Sequence, residues 1–192
     1  MRALKVLIPV AFVLALAACA KPPQADIDAA RSAVAAAGKN ADIVAYAPES
    51  LKSAQASLAQ MEKELTAKRY DKVKTLALEA KAMAGTAAND VVNNKAKARA
   101  DAASLIAALQ RALPAASAKV AAARRIAGVK LDFAALNQTL AQAKAGVADA
   151  QNDLSGGNYA SALQKATAVQ VLLNGRERTV SDAVAVATNK KK

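Results

Sequence analysis

The chain has 192 residues, with 27 lysines and arginines against 15 acidic side chains, a formal charge of +12, no histidine, no tryptophan and one cysteine. Cys/His nucleophile pairs, Ser-His-Asp triads and ordinary zinc sites are therefore excluded, and no disulfide can form within the chain. Alanine dominates the composition; it is the best helix former and lets helix axes approach closely, so the expected fold class is all-α, an elongated antiparallel helical bundle of coiled-coil hairpins in two related units.

Residues 1–18 have the order of a secretory signal: Arg2 and Lys5 make a positive start, Val6 to Leu16 is apolar apart from Pro9, and Ala17 and Ala18 are small. The apolar run is shorter than the roughly 20 residues that a membrane-spanning helix needs. Leu16-Ala17-Ala18-Cys19 resembles the lipobox of bacterial lipoproteins. The resemblance implies cleavage between Ala18 and Cys19, diacylglycerol on the Cys19 thiol and, in many Gram-negative bacteria, acylation of the new amino group. Two or three acyl chains anchor a protein stably where one does so marginally. Ala20 stands where inner-membrane-retained lipoproteins of enteric bacteria commonly carry Asp, so the resemblance implies the outer membrane, periplasmic face. Cleavage removes Arg2 and Lys5 and leaves 25 basic against 15 acidic side chains, in a length that allows one domain or two small ones.

Residues 19–24 read as a lipidated tether, because Pro22-Pro23 favours extended polyproline II. Asp26 or Asp28 is the expected cap of a helix running to about Ala37, ended by Gly38-Lys39-Asn40. A loop is expected to Tyr46-Ala47, with Pro48 in the first turn of the next helix. That helix carries Leu51, Ala54, Leu58, Met61 and Leu65 in alternating steps of three and four, a coiled-coil seam. A turn at Lys68-Arg69 leads to a helix from Tyr70, with Val73, Leu76, Ala80, Met83 and Ala87 in the same period. It is expected to pass Gly85 and reach about Ala112, roughly 64 Å at 1.5 Å per residue, before Pro114 breaks or restarts it. The expected divisions are a first helical unit at 25–113, a second at 114–188 and a basic tail at 189–192.

The second half repeats the first at a shift of 89 positions. Leu51 meets Leu140, Ala54 meets Ala143, Leu58 meets Val147, Leu65 meets Leu154, and Tyr70 meets Tyr159. Lys68-Arg69-Tyr70 aligns with Gly157-Asn158-Tyr159, each a turn before an aromatic. Tyr46 and Phe133 form a second aromatic pair, with a two-residue length difference. The leucine and tyrosine matches carry the duplication, since an alanine-rich chain gives many chance ones. The aromatics are expected to plug hairpin ends where alanine is too small.

Ala41 to Ala84, with Tyr46-Ala47-Pro48, Leu51, Ala54, Leu58 and the turn before Tyr70, resembles the helical domain of unknown function found in bacterial envelope lipoproteins, sometimes ahead of an OmpA-like domain. The resemblance implies a fold and a location but no activity, and here more helix stands where an OmpA-like domain would follow.

No enzyme is expected. Glu62 and Glu64, two apart, do not face each other; Asp149 and Asp153, four apart, read as a repelling pair on a solvated face. Gly156-Gly157-Asn158 is a turn rather than a phosphate loop. No cofactor is expected beyond the lipid on Cys19. The basic residues Lys95, Lys97, Arg99, Arg111, Lys119, Arg124, Arg125 and Lys130 are opposed nearby only by Asp90 and Asp101. They read either as solubilising charge or as attraction for anionic envelope polymers. The terminal Lys190, Lys191 and Lys192 are the candidate peptidoglycan contact; a lysine end resembles that of the murein lipoprotein, whose terminal amine is joined to peptidoglycan, while a solvated cap is the plainer reading. Nucleic acid is set aside because the signal exports the chain. The expected function is structural or scaffolding in the cell envelope, with peptidoglycan or an envelope protein as partner. The rival is a binding module for a small hydrophobic or lipid ligand held between helices.

Overall fold

A computed structural model describes residues 21–189. Every regular element among them is an α-helix: α1 (Gln24–Lys39), α2 (Ala41–Tyr46), α3 (Pro48–Thr66), α4 (Tyr70–Arg124), α5 (Phe133–Ser155) and α6 (Tyr159–Asn189). They fall into two compact units, divided between Val91 and Val92.

In the first unit, α1 starts earlier than its aspartates suggest. Pro23 takes the N-cap position without a side-chain cap, and Asp26 lies in the first turn, where its charge favours the helix amino end. Its buried stripe is Ile27, Ala30, Val34 and Ala37, in steps of three and four. Asn40 ends α1 and also starts a helix where a loop was expected. Its side-chain oxygen accepts from the backbone N–H groups of Asp42 (2.9 Å) and Ile43 (3.2 Å), which is enough to nucleate the six-residue α2. Pro48 opens α3, as expected. The α3 stripe is rotated slightly from the predicted seam: Leu51, Ala54 and Met61 are buried, but Ser57 and Glu64 are deeper than Leu58 and Leu65, which pack at the margin. Against them lie Val73, Ala77, Ala80, Ala84 and Ala87 of α4.

In the second unit, α4 continues and packs with α5 and α6 around Ile106, Leu109, Val147, Val169 and Leu173, and around Val120, Leu136 and Val180. The helix does not break at Pro114, contrary to expectation. Pro114 is exposed inside a 55-residue helix. Its missing N–H leaves the Gln110 carbonyl without its i+4 donor, but alanine-rich turns on both sides, and burial of Leu109 and Val120, hold the helix through it. Asp132 caps α5 by accepting from the Ala135 N–H at 2.9 Å.

The 89-residue shift survives at atomic detail. At the end of α3, Ala67 N–H donates to the Lys63 carbonyl (3.1 Å), Lys68 N–H to Leu65 (3.0 Å) and Arg69 N–H to Glu64 (3.0 Å). At the end of α5, Gly156 donates to Asn152 (2.9 Å), Gly157 to Leu154 (3.3 Å) and Asn158 to Asp153 (2.8 Å). Each donor and acceptor is displaced by the same 89 positions. Both are Schellman-type stops, and their left-handed residue also matches: Lys68 at φ 57° and Gly157 at φ 81°. The stripe Ile27, Ala30, Val34, Ala37 of α1 has a counterpart at a shift of 86 rather than 89, in Leu113, Ala116, Val120 and Ala123. The helix that precedes each hairpin is thus separate in the first unit and fused into the end of α4 in the second.

Candidate functional site

Ala18, Cys19, Lys190, Lys191 and Lys192 lie outside the described residues, as does the rest of the expected signal, residues 1–18. What the structure places is the chain on either side of them. Gln24 N–H donates to the Pro22 carbonyl at 2.8 Å, and α1 begins there, five residues after Cys19. At the other end, α6 runs to Asn189, directly before the lysines.

The carboxylates expected on a solvated face are partly engaged. Glu62 on α3 receives Arg31 of α1 through both oxygens, at 2.7 and 2.8 Å. The hydrogen bond from Arg31, more than its charge, holds the Glu62 carboxyl below its usual range. Glu64 is buried, contrary to the solvated reading; Arg69 grips both its oxygens, one contact at 2.8 Å, and Gln60 adds a third at 3.2 Å. Arg69 therefore lowers its pKa, with a smaller contribution from Lys72. The position was readable in the sequence, since Ala54, Ser57, Met61 and Glu64 also step by three and four. Asp153, the counterpart of Glu64, does not pair off against Asp149: it accepts from Lys165 (2.7 Å) and Ser161 (2.6 Å), and both contacts hold its pKa down. These carboxylates fasten hairpin ends. Among the described residues no group of three or more His, Cys, Asp or Glu is placed to hold a metal ion.

The basic series of the second unit divides in two. Lys97 pairs with Asp101 at 2.6 Å, and Lys119 with Glu177 of α6, an acid 58 positions away that local sequence reading misses. Arg99 lies over the Tyr159 ring at 5.9 Å and Arg124 over Phe133 at 6.0 Å, the distance range of cation–π attraction. So two of the four aromatics after Cys19 carry guanidinium groups; Phe133 also packs against the core, and Tyr46 is buried. Arg111 donates to its own helix at the Ala107 carbonyl. Arg125 and Lys130 are exposed, with no acidic partner among the described residues. They sit on the α4–α5 connection, where Gly128 adopts φ 92° and its backbone comes so close to α6 that an added Cβ would stand 3.9 Å from that of Ala187.

Between the helices of the second unit lies a space of about 20 Å3, lined by Val120, Leu136, Leu140, Leu173 and Val180 and bordered by Lys119, Arg176 and Glu177. That is room for about one water molecule. Between α4 and α6 a space of about 220 Å3, lined by Leu105, Leu109, Gln170, Leu173 and Asn174, is about as enclosed, and a more open groove of about 410 Å3 lies beside Pro114.

Residues 25–103 match the model of a domain of unknown function, DUF4398. The match takes in α1, α2, α3 and the amino-terminal part of α4. No curated protein and no solved structure matches the chain.

Proposed function

We propose that this chain is a lipid-anchored, non-catalytic scaffold of the bacterial envelope, held to the periplasmic face of the outer membrane through Cys19 and meeting its partners with its helical surface. One observation carries the reading: the only thiol of the chain ends a Leu-Ala-Ala-Cys sequence behind a secretory signal, and the folded body starts at Gln24, immediately after a short proline-bearing tether. Buried alanines at the helix contacts favour surface contact over a ligand held between helices. Peptidoglycan or an envelope protein is the partner this reading calls for.

The test is a Cys19→Ser substitution followed by fatty-acid labelling and membrane fractionation in a Gram-negative host. Label on the natural chain, its loss in the variant, and outer-membrane recovery of the natural chain alone are the expected results. Equal labelling of both would end the reading.

A further inference from the structure

We propose that the second unit carries a polycarboxylate-binding surface around the α4–α5 connection, suited to a water-borne anionic glycan polymer rather than to a bilayer. The first observation is where the charge sits. From residue 19 to Val91 there are ten basic and nine acidic side chains; from Val92 to Lys192 there are fifteen and six. Nearly the whole positive excess of the chain after Cys19 belongs to one of two units built on the same repeat. Solubility or the fold would ask it of both. The equivalent stretch of the first unit, from the last residue of α1 to Ala47, bears one base, Lys39, and one acid, Asp42.

The second observation is how the connection is arranged. Arg124, Arg125 and Lys130 fall within seven residues. The one acid there, Asp132, has its side chain turned to the Ala135 N–H. The close approach of Gly128 to Ala187 brings this loop beside the last turn of α6. Asp182 is the acid that α6 adds in its final turns.

The third observation selects the partner. Attachment to a bilayer is strengthened by apolar side chains that enter it, but Leu131 of the loop packs against Val120, Ala123, Leu136 and Val180, Ile126 and Val129 are half-buried, and Phe133 lies beneath Arg124. The large side chains the loop offers outward are Arg124, Arg125 and Lys130 against the single carboxylate of Asp132, and planar guanidinium forks match carboxylates in pairs. The envelope reading enters only by removing nucleic acid, the other long polyanion.

The test uses the protein purified in detergent with its anchor in place, and measures co-sedimentation with purified sacculi, with binding to soluble polyglutamate as a second readout. Two variants are compared with the natural chain: Arg125→Ala/Lys130→Ala in the loop, and Lys52→Ala/Lys74→Ala on exposed helix positions of the first unit. Among the described residues neither pair has an acidic partner that its loss would strand. The loop variant should bind about 25-fold more weakly, at roughly fivefold per basic group near an anionic surface, while the first-unit variant should bind as the natural chain does. Equal loss in both variants, or none in either, overturns the site. Binding to phosphatidylglycerol vesicles or to DNA that exceeds binding to sacculi overturns the choice of partner. Failure of Cys19 labelling with intact sacculus binding would sink the envelope reading and leave this surface standing.

Discussion

A Cβ added at Gly146 would lie 2.6 Å from Cγ2 of Val169, across the contact between α5 and α6. In an exposed helix, Gly→Ala stabilises by about 1 kcal/mol. Here the methyl must displace a buried valine, whose branched side chain is stiff at χ1, and inserting a methyl into a packed core costs about 1–3 kcal/mol. Overpacking wins, and Gly146→Ala should destabilise the second unit by about 1 kcal/mol. For a unit of that size this is roughly 4–8 °C in melting temperature. The repeat supplies the control, since the equivalent positions in the first hairpin are Ser57 and Ala80: a larger residue on one helix, a smaller one on the other. Val169→Ala alone should cost about 2 kcal/mol, the lost burial of two methyl groups. Adding it to Gly146→Ala should cost at least about 1 kcal/mol less than the sum, because the valine that clashed is gone. Thermal melts followed by circular dichroism, on all four members of the cycle, measure this. A higher melting temperature for Gly146→Ala, or strict additivity, would refute the packing argument.

Met61 is fully buried, so Met61→Ala should cost about 2–5 kcal/mol in urea unfolding, and a loss under 1 kcal/mol would mean the site collapses freely. Pro114→Ala restores the N–H that the Gln110 carbonyl lacks at an exposed position, and should raise stability by up to about 3 kcal/mol; a lower melting temperature would show that Pro114 supports packing. Glu62, Glu64 and Asp153 have pKa values lowered, first by hydrogen bonds from Arg31, from Arg69 and from Lys165 respectively. Their contribution is therefore complete above the unfolded values near 4 and is lost as pH falls through the lower folded values. Melting temperature should drop on acidification below about pH 5, with a shallower drop in Glu64→Gln; an unchanged acid limb in that variant would count against the clamp.

The helical period and the repeat were legible in sequence because leucines and tyrosines mark them against an alanine background. The 89-residue shift led to two equivalent stops even though one uses Lys68 in the left-handed position and the other Gly157. Pro114 misled, because local propensity is a weak guide when packing on both sides holds a helix together. The spacing of Glu64 marked it as a seam position, but its residue type argued against burial until Arg69, folded back across the turn, accounted for it. Glu177 and Lys119 lie 58 positions apart, so only the tertiary fold shows which basic groups are neutralised and which, such as Arg125 and Lys130, are left outward.

Intact-mass analysis of the protein extracted from outer membranes tests lipid anchoring most directly. The account predicts a chain beginning at Cys19, heavier than its residues by a diacylglycerol group and, with full processing, an acyl chain, both lost on Cys19→Ser. A membrane-extracted chain that begins at Met1, or one that begins at an unmodified Cys19, would contradict it.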